Sequence, residues 1–417
     1  MSRSRAEHLN DVLGAHHPGA LAMSSPLARR TYMPLGIPQQ SEQARGARLQ
    51  ATIGQITRGD GSPLALPSLA RNFPTFDTRQ SLLYAPQYGL PELRQRWRGA
   101  ILEGDAPTSV PVVTAGITHA LSIAAELFTH PGAPLVVGVP YWDNYELIFA
   151  LKTGCAIVTY PLFDAEGRFN LRGLLAAVRS VGGPCTVLLN FPSNPTGYSP
   201  YPDEAEAIVA GLAAVETPLA VICDDAYNGL YFDARLYGRS LFGALAAALD
   251  PARAIAVKVD GATKELVFFG GRIGFVTFSA TGPAADALEE RAALLVRASI
   301  SMVSAPAQLA VLDALRSPTL SAERRDVFDV LQSRYAALRE ATVREQLTTY
   351  PYNSGCFALI PVRDDQDCDV VRRRLIEEQS VGVIAIPQVN AIRVAFCSME
   401  AEDIPELVRR VAAVVRG

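Results

Sequence analysis

Cysteine is sparse in this chain and never spaced to bind a metal. The six in 417 residues are Cys155, Cys185, Cys223, Cys356, Cys368 and Cys397, with no CxxC pair. That spacing argues against a zinc site and a disulfide framework. Most of the six sit in or beside apolar runs, as small core residues of a reducing compartment do. Basic charge is not in excess either. Lys and Arg number 38 against 42 Asp and Glu, a formal net charge of −4, so the basic stripe that nucleic acid requires is missing. No uncharged apolar run approaches the roughly 18 residues of a membrane span. Segment 1–30 carries charges and His16-His17 where a signal peptide would have an apolar core. These absences predict a cytoplasmic chain with neither nucleic acid nor membrane as partner, and no metal site.

What is present is apolar bulk arranged in alternation. Hydrophobic residues make up 49% and charged ones 19%, which suits a compact chain long enough for two domains. Strand-length runs of Val, Ile and Leu fall at 134–139, 156–160, 186–190, 219–223, 254–259 and 273–278. Helical spacing occupies 118–128, 145–152, 171–181, 203–215 and 241–249. Such alternation predicts an α/β fold, a mostly parallel sheet covered by helices on both faces, with ligands at the carboxyl ends of its strands. A long helix is expected over 284–298. Beyond Ser304 the pattern becomes that of a smaller α+β unit: helices near 308–315 and 323–345, a strand at 356–361, and a helix over 369–379. Short strands at 381–386 and 391–396 and a closing helix over 404–415 complete it. The expected division is a variable arm at 1–30, the N-terminal part of the small domain at 31–75, the large domain at 76–303 and the rest of the small domain at 304–417.

Polar groups of several kinds stand at or near the exits of these runs. Asn194 opens Asn194-Pro195-Thr196-Gly197, and Asp224-Asp225-Ala226-Tyr227 closes the next run. Lys264 ends Val257-Lys258-Val259-Asp260-Gly261-Ala262-Thr263-Lys264, eight residues before Arg272 in Gly270-Gly271-Arg272-Ile273-Gly274. A lysine whose pKa is lowered by desolvation can form a Schiff base with an aldehyde cofactor. Lys258, inside the strand and before the glycine, is its competitor. Asp224 would be costly to bury alone, and a protonated pyridine nitrogen would supply its counter-charge. The alternative is that Asp224 or Asp225 caps a following helix. Asn194 and Tyr227 can share the phenolic oxygen of the same ring.

The turn of Gly116, Ile117 and Thr118 opens a helix whose free N–H groups and dipole suit a phosphate, with Arg272 as a bidentate partner. Trp142 follows the run at 134–139, where an aromatic can stack on a planar ring or simply fill the core. Arg393 lies between apolar residues in Ala391-Ile392-Arg393-Val394-Ala395 and needs an anion, either a substrate α-carboxylate or a structural one. Together these groups can hold and work pyridoxal 5'-phosphate.

The ordered set Gly116, Trp142, Asn194, Asp224, Tyr227, Lys264, Arg272 and Arg393 resembles the fold-type I pyridoxal-phosphate-dependent aminotransferases, the aspartate aminotransferase superfamily (class I/II). The likeness runs over residues 50–417. It implies that Lys264 is the Schiff-base lysine and proton shuttle, Asp224 the pyridinium partner, and Asn194 and Tyr227 the ring-oxygen donors. It implies a phosphate cup of Gly116, Ile117, Thr118 and Arg272, and an α-carboxylate site of Arg393 with Gly54 and Asn194 nearby. Tyr84 resembles the tyrosine that reaches the phosphate of the neighbouring subunit, which implies a homodimer with active sites at its interface. Arg297 resembles the arginine that binds a second carboxylate in dicarboxylate-specific members; the alternative is a structural arginine, as in relatives with other substrates. One departure is Gly261, where many relatives have a serine three residues before the lysine; Thr263 is the candidate replacement. The implied activity moves an amino group between an L-amino acid and a 2-oxo acid by a ping-pong cycle. The alternatives are a lyase, decarboxylase or amino-acid oxidase on the same scaffold, and a non-catalytic effector-binding module.

Overall fold

The computed structural model describes residues 37–52, 54–60, 62, 64–70, 82–101 and 106–416, with four isolated positions before residue 37. The arm expected at 1–30 lies outside the described residues apart from those positions. The first strand, β1 (Leu49–Gln50), belongs to a small sheet described below. Next come β2 (Val112–Thr114), β3 (Leu135–Val139), β4 (Ile157–Pro161), β5 (Cys185–Asn190), β6 (Leu219–Asp224), β7 (Ala254–Gly261) and β8 (Gly274–Phe278). These seven form one sheet in the order β2-β8-β7-β6-β5-β3-β4. β7, β6, β5, β3 and β4 run parallel, while β8 is antiparallel to both β7 and β2.

The sheet is apolar on both faces because successive side chains point to opposite sides. Leu135, Val137, Leu188, Ile222, Val257 and Val259 join one buried cluster, with residues of the helices Ile117–Phe128 and Gly282–Ile300. Val136, Val187, Leu189, Val221, Cys223 and Ala256 join another, with the helices Leu171–Val181, Pro202–Ala213 and Phe242–Ala248. Each buried aliphatic side chain contributes roughly 1.5–3 kcal/mol. Neighbour order reverses at β3, which lies between β4 and β5, and such a reversal opens a crevice at the strands' carboxyl ends.

The second layer of structure is built from both ends of the described chain. β9 (Phe357–Pro361), β11 (Ile384–Ile386) and β12 (Ala391–Ala395) form an antiparallel sheet in the order β11-β12-β9, while β10 (Val381–Gly382) pairs in parallel with β1. The helices Leu320–Arg344, Cys368–Gln379 and Ile404–Arg416 pack around them. Ala51 accepts a hydrogen bond from the Ala395 N–H at 3.0 Å, so the chain after β1 runs along β12.

Two expected elements take another form. The helix expected over 145–152 is a wide π-helix, Glu146–Leu151. The single strand expected at 381–386 is two, serving different sheets. A Cβ on Gly382 would lie 2.9 Å from the Ala44 Cβ, so the glycine lets the N-terminal segment close on β10. All six cysteines are buried and unpaired. Among the described residues no helix is long and apolar enough to cross a membrane, and no group of His, Cys, Asp and Glu could hold a metal ion.

Candidate active site

β5 and β6 end side by side, with Asn190 opposite Asp224. Asp224 is 2% exposed. Its Oδ2 accepts the Tyr145 phenol at 2.5 Å and its Oδ1 accepts the Ala226 N–H at 3.2 Å. Burial lifts its carboxyl to about 6, against the pull of the Tyr145 hydrogen bond and of the Lys264 charge. Lys264 lies in the short helix Ala262–Glu265 that leaves β7. Its Nζ sits 5.0 Å from the centroid of the Tyr227 ring. Burial drives this amine below the usual lysine range; Asp224 opposes the shift and Arg272 adds to it. Tyr227 is buried, and burial holds its phenol well above the usual range.

A hydrogen-bonded chain runs from Asp224 to the second layer. Asn190 Nδ2 donates to the Asp224 carbonyl at 2.8 Å, and its Oδ1 accepts the Asn194 N–H at 2.8 Å. Asn194 Oδ1 accepts from Arg393 Nη1 at 2.8 Å, while Arg393 Nη2 donates to the Thr52 carbonyl at 2.9 Å. The guanidinium lies 4.2 Å from the centroid of the Phe357 ring. Gly54 borders the same ring, where a Cβ would meet Phe357 Cζ at 2.5 Å. Arg393 is 1% exposed, and among the described residues its Nε has no hydrogen-bond partner and no carboxylate stands within ion-pair distance of it. A buried guanidinium so placed is costly unless an anion joins it.

The opposite end of the cleft is made by close-packed glycines. Gly116 (φ 85°) precedes the helix Ile117–Phe128, and a Cβ there would lie 2.5 Å from Arg272 Nη2. The Arg272 guanidinium therefore lies against the amino end of that helix, with Nη1 donating to the Phe269 carbonyl at 3.0 Å. A Cβ on Gly261 would come 2.6 Å from the Ile273 carbonyl oxygen. That contact gives a physical reason for glycine, not serine, at this position. Thr263 is buried and its Oγ1 has no partner among the described residues. Ile117 is buried and Thr118 half-buried at the start of the helix.

Trp142 is half-buried and meets the Tyr145 ring edge-on at 5.6 Å. Tyr84, 86% exposed, and Arg297, exposed on the helix Gly282–Ile300, stand outside this cluster in the single chain. Lys258 is removed from contention by its surroundings. It is 1% exposed and forms ion pairs with Asp225 and, at 3.4 Å, with Asp260. The reading of Asp225 as a helix cap is corrected: a turn follows it, and its Oδ2 accepts from Ser240 Oγ at 2.6 Å as well as from Lys258. Tyr145, Asn190, Thr52 and Phe357 neighbour these groups, and the motifs give none of them a role. Asn190 had a usable signal, a polar residue closing an apolar run as Asp224 does. Thr52 acts through its backbone carbonyl and has none.

The mostly parallel seven-stranded sheet, with polar groups at the carboxyl ends of its strands, has the fold-type I architecture. The chain belongs to the aminotransferase class I and II family, whose family model matches residues 52–411. A probable aspartate/prephenate aminotransferase of Aquifex aeolicus is 27% identical over 265 residues, covering 63% of this chain and 62% of that protein's length. An aminotransferase of Anaerococcus prevotii has a solved structure similar at a TM-score of 0.84, with 23% identity over 95% of this chain and all of the other. An alpha-aminoadipate aminotransferase of Thermus thermophilus, solved with N-(5'-phosphopyridoxyl)-L-leucine, gives 0.77 at 21% identity, covering 95% of this chain and 98% of that one.

Proposed function

We propose that this chain is a pyridoxal 5'-phosphate-dependent aminotransferase that moves an amino group from an L-amino acid to a 2-oxo acid. The observation that carries this reading is Arg393, a buried guanidinium with no carboxylate at ion-pair distance among the described residues, joined to Asn194 in a cleft that also holds Lys264 and Asp224. The donor set suits the cofactor. Asp224 is a buried carboxylate for a ring nitrogen, and Thr263 Oγ1, Arg272 and the helix start at Gly116, Ile117 and Thr118 supply donors for a dianionic phosphate. When bound, the cofactor supplies an aldehyde that takes up the amino group and a ring that delocalises electrons from the α-carbon.

The chain's own groups do the rest. Lys264, its amine lowered by burial, takes the α-proton and returns it. Asp224 would hold the ring nitrogen, Asn194 and Tyr227 would hold the ring oxygen, and Trp142 is the candidate to pack against the ring. Arg393, beside Gly54, orients the α-carboxylate. Arg297 is the candidate for a second, distal carboxylate.

Further proposals concern assembly. The contiguous Leu82, Leu83 and Tyr84 are 79%, 67% and 86% exposed, which supports a homodimer in which Tyr84 reaches the partner's phosphate site. The domain division at 30, 75 and 303 is also ours; the β1–β10 pairing supports grouping the N-terminal segment with the C-terminal part. Six unpaired buried cysteines favour a cytoplasmic setting. Family membership favours transfer over elimination, decarboxylation, oxidation or mere effector binding. The test is a single-turnover screen of the loaded enzyme against the common amino acids without acceptor. Stable conversion of the cofactor's absorbance with release of a 2-oxo acid is expected. Spontaneous recovery with ammonia release would overturn amino transfer.

A further inference from the structure

Tyr145 is 1% exposed, and its ring is fixed by Trp142 at 5.6 Å, Phe149 at 6.1 Å and Tyr141 at 6.3 Å. Its hydroxyl donates to Asp224 Oδ2 at 2.5 Å and makes no other hydrogen bond among the described residues. Burial, with Asp224 beside it, keeps the phenol protonated far above neutral pH. It can therefore only donate to the carboxylate, never compete with it for charge. The other charged or titratable groups facing Asp224 are Lys264 from beyond β7, the adjoining Asp225, Tyr227 from the turn after β6, and the preceding Cys223, whose thiol burial holds well above its usual range. Lys264 stabilises the carboxylate only while it carries a proton, so its help varies with its own state. Asp225 is tied to Lys258 and Ser240. The phenol is the one constant side-chain donor to this carboxylate among the described residues.

We propose that Tyr145 is a positioning residue that keeps Asp224 ionised and aimed at the cofactor's ring nitrogen, extending the pH range over which the cofactor is held toward acid. The proposal rests on the reading of Asp224 as the ring-nitrogen partner. Rings of the same shape occupy the site in Tyr145→Phe, so packing is retained and only the donor is lost. A merely structural role would leave the pH dependence of cofactor binding where it is.

The experiment is equilibrium binding of pyridoxal 5'-phosphate to the apoprotein as a function of pH, for wild type, Tyr145→Phe and Asp224→Ala. Removing a hydrogen bond to a charged group should move the acid limb of binding upward by about one pH unit in Tyr145→Phe. Asp224→Ala should bind weakly and show no such limb. Coincident pH curves for wild type and Tyr145→Phe would overturn the proposal while leaving the cofactor reading intact. Failure of wild type to bind, or wild-type binding by Asp224→Ala, would overturn both.

Discussion

Lys258 and Lys264 are close along the chain yet meet opposite electrostatic surroundings. Burial works against the charge on both. For Lys258 the paired Asp225 and Asp260 outweigh it and hold the ammonium above its usual range, whereas for Lys264 burial prevails and lowers the amine. The first lysine is thus a permanent cation and the second a candidate base. Asp260 also accepts the Trp97 indole N–H at 3.1 Å, and Glu265 pairs with Arg324 at 2.9 Å, its carboxyl raised by burial to about 7. Asp225 follows Asp224 and Glu265 follows Lys264, so this ion cluster anchors the residue next to each candidate catalytic group. Lys258→Met would leave Asp225 and Asp260 buried without their cation, and we expect it to cost about 3–5 kcal/mol of folding stability. Urea unfolding reads this directly; a midpoint equal to wild type would show that the cluster contributes nothing.

The strands that carry the site were the most legible elements, because a parallel sheet buried on both faces reads as unbroken Val, Ile and Leu. The runs ending at Asn190 and Asp224, and the one leading to Gly261, fall where expected. What escaped has physical causes. β2 is three residues long, too short for any period to register. The run at 381–386 looks like one strand because its apolar character is continuous, yet Val381–Gly382 pairs with β1 and Ile384–Ile386 with β12. Only the long-range approach of the N-terminal segment divides it. The turn at 194–197 offers Asn194 as a candidate near a strand exit, but what anchors it is not readable there: Gly197, at a φ of 76°, has a carbonyl that accepts the N–H groups of Asn353 and Ser354 at 2.8 and 2.9 Å and stitches the turn to the approach of β9. That stitch keeps Asn194 beside Arg393. Side chains acting on other side chains, such as Tyr145 on Asp224, leave no periodic trace in the sequence.

Taken as one chain, the molecule leaves two of its proposed site residues, Tyr84 and Arg297, turned to solvent. Exposed Leu82 and Leu83 beside Tyr84 form an apolar edge of the kind a second copy would cover. The account therefore expects a dimer of the 44.7 kDa chain, and sedimentation of the active enzyme as a monomer would contradict it. In the empty site Asp224 loses its charge as pH falls through about 6, so uptake of the cofactor by the apoprotein should weaken there, as an absorbance titration would read. For stability of the apoprotein the sign is opposite. The folded carboxyl binds its proton more tightly than the ordinary value of 3.8, so its contribution is fullest below that value and is lost as pH rises through about 6.

The central claim is that the Lys264 amine moves the α-proton, and the most direct measurement is exchange of an α-deuterated amino-acid substrate with solvent by the loaded enzyme. The account predicts ready exchange in wild type and a fall of about 10²–10⁴-fold in Lys264→Ala. Exchange at the wild-type rate in Lys264→Ala would contradict it.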